Sequence, residues 1–115
     1  MQVVVIKHYE QPYENPISVA AGDAVTPDFD RDTNIEGWVW CTAKDARSGW
    51  APRNWLVQSG DAWRVDREFN AIELTIVPGE LLDVVLEESG FFWVTKQDGK
   101  AGWVPCDHVS VVNQT

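Results

Sequence analysis

Short runs of alternating apolar and polar residues, cut by polar turns, recur along the whole chain. Residues 3–9 open on a valine run and read as a first strand. Ile17-Ser18-Val19 alternates, and Gly22-Asp23 behind it marks a tight turn. Residues 38–42 and 48–51 are aromatic or β-branched segments flanking a polar stretch, which is a hairpin signal. Pro52-Arg53-Asn54-Trp55 reads as one helical turn and Leu56-Val57 as a short strand. The pattern then resumes with residues 63–69, Leu74-Thr75-Ile76, and Leu82, Val84 and Leu86 at period two. A second hairpin over 91–105 and a strand over 109–112 close it. No stretch carries the 3.6-residue period of an amphipathic helix. Short strands at regular spacing predict an all-β chain built from small barrels.

The resumption is a repeat. Residues 37–52 lie without a gap over residues 90–105, and seven of those sixteen positions are identical. The shared residues include both outer glycines, Trp40 with Trp93, Trp50 with Trp103, and Pro52 with Pro105. Similarity of that length means two like units in tandem. Asp98-Gly99 supplies the turn pair that tolerates positive φ, whereas Asp45-Ala46 lacks the glycine, so the first turn is expected to be of a different kind or slightly strained. Gln58-Ser59-Gly60-Asp61 is read as the linker, with one unit over residues 1–58 and the other over residues 62–112. Four residues give such units no independent reach. Trp63, just past the linker, is expected to pack between them.

With 115 residues, each unit is near the lower size limit for a domain that folds alone. The net charge of −9 is shared by both halves, with 5 Lys/Arg against 8 Asp/Glu in residues 1–58 and 4 against 10 in the rest. Neither half offers the basic face that phosphate neutralisation needs, so no nucleic acid is expected as partner. No apolar run reaches membrane-spanning length, and the N-terminal one is too short for a signal core. Two cysteines at different positions of the repeats do not make a disulfide framework, and a cytoplasmic setting is the simpler expectation. There is no Ser/His/Asp or Cys/His arrangement, no phosphate-cradling loop and no paired metal ligands. The chain is therefore expected to be no enzyme and to use no cofactor or metal. Asp28, Asp30 and Asp32 read as a solvated loop.

Each unit resembles a Src-homology-3 (SH3) domain of the bacterial-like variant kind. In the first, Val5-Ile6-Lys7-His8-Tyr9-Glu10 is similar to the family's Ala-Leu-Tyr-Asp-Tyr signature. Residues 17–23 are similar to its Leu-Ser-Phe-Lys-Lys-Gly-Glu stretch, Gly37-Trp38 to the start of its Trp-Trp strand, and residues 49–56 to Gly-Tyr-Ile-Pro-Ser-Asn-Tyr-Val. The second unit keeps Phe69-Asn70-Ala71, Glu73-Leu74-Thr75-Ile76 and Gly102-Trp103-Val104-Pro105, with the intervening loop shortened by about three residues.

The resemblance implies two tandem five-stranded barrels, each with a shallow aromatic groove for extended proline-containing peptides. Carried over by position, the first groove comprises Tyr9, Trp38, Pro52, Asn54 and Trp55. Glu14 and Asp30 would substitute for the usual carboxylate, where Pro16 now stands. Lys7 replaces one aromatic wall. The weaker second groove comprises Phe69, Glu73, Phe91, Pro105 and His108. The implied function is a cytoplasmic adaptor whose first unit binds a basic, proline-containing protein segment. The alternative is a structural or oligomerising module whose aromatic faces pack against another subunit.

Overall fold

A computed structural model of the chain describes residues 1–13, 15–32 and 36–112. Its strands are β1 (Gln2–Val5), β2 (Ser18–Val19), β3 (Ala24–Asp28), β4 (Trp38–Ala43), β5 (Ser48–Pro52) and β6 (Leu56–Ser59). After them come β7 (Ala62–Val65), β8 (Phe69–Asn70), β9 (Leu81–Glu88), β10 (Phe91–Lys96), β11 (Ala101–Pro105) and β12 (Val109–Val111). Single 3-10 turns, Arg53–Trp55 and Cys106–His108, follow Pro52 and Pro105. Proline cannot extend a ladder, so each strand stops there and the chain turns. The all-β expectation holds, with SH3-like small barrels as the architecture.

The division of the chain differs from the tandem expected. One compact unit is Asn15–Ile72; the other joins Met1–Glu14 to Glu73–Thr115. In the first, the sheet order is β5-β4-β3-β7-β6, with β2 paired to β8 beside it. In the second it is β11-β10-β9-β1-β12. The opening strand of each repeat thus completes the barrel of the other. The boundaries 1–58 and 62–112 are corrected accordingly. The supposed linker is also corrected: Ser59 faces Ala62 across a two-residue turn, with Gly60 at φ 62, so β6 and β7 form a hairpin. A short turn with a left-handed glycine makes this pairing the most local one open to β7.

Both exchanged strands sit in the same register. Val5 faces Val109 on β12, and Val65 faces Leu56 on β6. Val5 and Val65 are both buried. The core of the unit holding the termini gathers Val3 and Val5 with Leu74, Ile76, Leu82, Phe92, Val94 and Val104. Trp63, expected between the units, instead meets Phe29 edge-on at 5.1 Å within Asn15–Ile72.

Two local expectations resolve physically. Ala46 stands at φ 72 where the matching Gly99 stands at φ 92, so the first hairpin does place a side chain in left-handed backbone. On β9 the period-two alternation breaks. The ladder to β10 shifts between Trp93 and Val94, which leaves Val85 as a bulge residue, 63 % exposed. Past an extra residue the parity flips, so Leu86 faces Trp93 instead of the core.

Candidate functional site

The exchange of opening strands sorts the groove residues differently from the sequence order. In Asn15–Ile72, Trp38 begins β4 opposite Pro52 at the end of β5. Trp55 lies on the 3-10 turn that Pro52 starts. The aromatic beside Trp55 is Phe69, edge-on at 5.6 Å, carried by β8 and paired with Val19. Trp38, Trp55 and Phe69 are 7 %, 6 % and 3 % exposed, so none offers an open wall to a ligand. The Arg67 guanidinium lies 4.5 Å from the centre of the Trp55 ring, and that of Arg53 lies 4.9 Å from Phe29. Cations on aromatic faces gain from the ring quadrupole, and Arg67 also pairs with Asp66 at 2.9 Å, so an acid balances its charge.

Asn54 is exposed on the same 3-10 turn. Asp30 is exposed too, and its backbone N–H donates to Asp28 Oδ1 at 3.1 Å, an ordinary loop contact. Pro16 is buried. Glu14, the other acid assigned to this groove, lies outside the described residues.

Tyr9 stands in the other unit. Its backbone exchanges hydrogen bonds with Ile76, donating at 3.0 Å and accepting at 2.9 Å. Its ring meets His108 edge-on at 5.3 Å, and its hydroxyl donates to Glu73 Oε1 at 2.5 Å. Asp107 Oδ1 accepts from His108 Nδ1 at 2.6 Å. Phe91 and Pro105 face one another across β10 and β11, both buried. Of the second groove, then, Glu73, Phe91, Pro105 and His108 share a unit with Tyr9, and Phe69 leaves it. Tyr9 and Phe69 have traded places, and the furrow expected from Tyr9, Trp38 and Trp55 together does not form within one unit.

The electrostatics follow from burial. Glu73 is only 8 % exposed, and loss of solvent raises its carboxyl above the usual glutamate range, partly opposed by the Tyr9 hydrogen bond. Burial, reinforced by the Glu73 carboxylate, raises the Tyr9 hydroxyl as well. An acid whose pKa is raised on folding favours the fold below its unfolded pKa. That contribution is lost as pH rises through the folded value. Glu73→Gln keeps an acceptor for Tyr9 and removes the ionisation. Thermal melts should therefore show the variant matching the parent in acid and exceeding it at neutral pH. A variant equal to the parent in acid but less stable at neutral pH would mean that the negative charge itself is needed.

Both thiols are held toward the protonated form. Burial pushes Cys41 up to about 12, and burial with the nearby Glu87 carboxylate pushes Cys106 up to about 11. Both are free. Little thiolate exists at neutral pH at either. Among the described residues no three His, Cys, Asp or Glu side chains gather as metal ligands would. No helix there is long and apolar enough to cross a membrane.

Trp40 and Trp50 pair across the first hairpin at 5.2 Å, and Trp93 and Trp103 across the second at 5.4 Å. These are cross-strand packing pairs, as the repeat predicts. Sequence reasoning missed the cationic covers, Arg67 on Trp55 and Arg31 at 4.1 Å over Trp40. Arg67 stands two residues before Phe69 as Lys7 stands two before Tyr9, so it holds the place of the lost aromatic wall in the second signature.

A family model described as a variant SH3 domain matches residues 3–58. Neither the curated proteins nor the solved structures include a match to the chain. SH3 domains are in general non-catalytic modules that bind protein or peptide ligands. The matched span includes β1, which the structure gives to the barrel of residues 73–112.

Proposed function

We propose that this chain, with a variant SH3 segment over residues 3–58, is a non-catalytic adaptor whose ligand groove is the one around Tyr9, Asp107 and His108. The observation that carries this reading is the meeting of the half-buried Tyr9 and His108 rings beside an exposed carboxylate. The alternative trough at Trp38 and Trp55 is closed by burial and bordered by arginines. The unit holding Tyr9 has nine Asp/Glu against three Lys/Arg, so it favours a basic ligand. Proline rings stack on flat aromatic faces, and a polyproline segment is already extended when free. A single such groove supports roughly micromolar affinity, about −8 kcal/mol. A cytoplasmic setting, expected from the sparse cysteines, belongs to the same proposal.

Titration of basic proline-rich peptides tests it. His108→Ala should weaken binding roughly tenfold, about 1.4 kcal/mol, while Trp38→Ala should leave it near the parent value once folding is verified. Equal binding by the parent and His108→Ala would overturn the site. The structural reading has an observation of its own. Trp38, Trp55 and Phe69 are buried like core residues, which fits aromatics that pack a barrel.

A further inference from the structure

The strand that completes the barrel of residues 73–112 comes from the opposite end of the sequence. β1 lies between β9 and β12, a central position. Val5 N–H donates to Glu80 O and Gly79 N–H to Val5 O, both at 2.9 Å. Val112 N–H donates to Gln2 O at 2.9 Å. Further along, Tyr9 pairs with Ile76, and Gln11 N–H donates to Thr75 Oγ1 at 2.9 Å. From Asn15 to Ile72 the chain belongs to the other unit, whose strands, among the described residues, pair among themselves. Asn15 itself stands at φ 52, a left-handed backbone that asparagine adopts more readily than most residues. The arm and its slot are thus joined only through a separately paired unit. Nothing in their pairing requires them to belong to one molecule.

We propose that a second copy of this chain is a partner for the slot between β9 and β12. Two molecules exchange residues 1–14 reciprocally, and each arm completes the other's barrel. Because the contacts made are those of the monomer, the exchange costs mainly the entropy of association. Closure within one chain wins below the arm's effective concentration, on the order of millimolar. Dimers therefore form when chains fold together at high concentration. They persist on dilution, since release withdraws a central strand with Val3 and Val5 buried.

Val4 and Ser110 face each other across β1 and β12. Directly opposed strand positions lie within disulfide reach. The full chain carrying Val4→Cys and Ser110→Cys, with Cys41→Ala and Cys106→Ser so that no native thiol remains, is unfolded and refolded under oxidising conditions. At low concentration an internally bridged monomer is expected. At high concentration a covalent dimer should appear that denaturant leaves intact and reductant separates, its ratio to monomer rising in step with concentration. Monomer alone at every concentration, or the same dimer yield from Val4→Cys by itself, overturns the proposal. The unaltered chain gives a second readout. Heavy-isotope and ordinary copies refolded together should give mixed dimers by native mass spectrometry, and none would overturn the exchange without relying on the substitutions.

Discussion

A chain lacking residues 1–14 should lose the barrel of residues 73–112 and keep that of residues 15–72. β1 is flanked on both sides by β9 and β12, so its removal orphans two ladders at once. Val3 and Val5 are 0 % and 2 % exposed. Burying each contributes about 1.5–3 kcal/mol. Their loss alone approaches the total stability of a small domain, roughly 5 kcal/mol at the low end. The Tyr9 contacts to Ile76 and Glu73 go with them. Hydrogen exchange reads the outcome by residue. Amides of β9 to β12 should lose protection, and amides of β3 to β7 should hold it. The reverse pattern, with β7 leaving β6 to rescue the orphaned barrel, would show that the exchange of strands is not the preferred pairing.

Most of the element pattern was legible because each strand's burial is local to its own sequence. β3 was not read as a strand, its Asp28 being assigned to a loop. Around Leu74-Thr75-Ile76 the chain forms isolated bridges at Glu73 and Ile76 instead of a strand. Both hairpins, both 3-10 turns and the Trp-Trp pairs stand where the repeat put them. Which first strand serves which barrel was not legible from alternation. Val5 and Val65 occupy the same register position opposite Val109 and Leu56, so either strand satisfies either barrel. The signal that decides is Gly60-Asp61. Two strand-like runs separated by Gly-Asp are a hairpin pattern, and a hairpin between neighbours closes a far shorter loop than a return to residue 3. Reading Gln58-Ser59-Gly60-Asp61 as a linker overlooked it. The same error moved the site. Position by position the groove residues were identified from each repeat, but Tyr9 and Phe69 travel with the strands that precede them.

Phe69→Ala should therefore cost the barrel of residues 15–72 about 3–5 kcal/mol, the range for a truncated core phenylalanine. It is 3 % exposed and stands on β8 against Trp55, itself 6 % exposed. In a linear tandem the residue beside Trp55 would be Tyr9, and Phe69 would stand beside His108. A double-mutant cycle separates the two arrangements. Phe69→Ala and Trp55→Ala should couple by about 0.5–1.5 kcal/mol, the scale of an edge-on aromatic pair. Tyr9→Ala and Trp55→Ala should add independently, because Tyr9 rests on His108 and Glu73 in the other unit. Coupling of Tyr9 to Trp55, with Phe69 and Trp55 additive, would return the strands to their own repeats. It would also restore the trough of Tyr9, Trp38 and Trp55 as the ligand site.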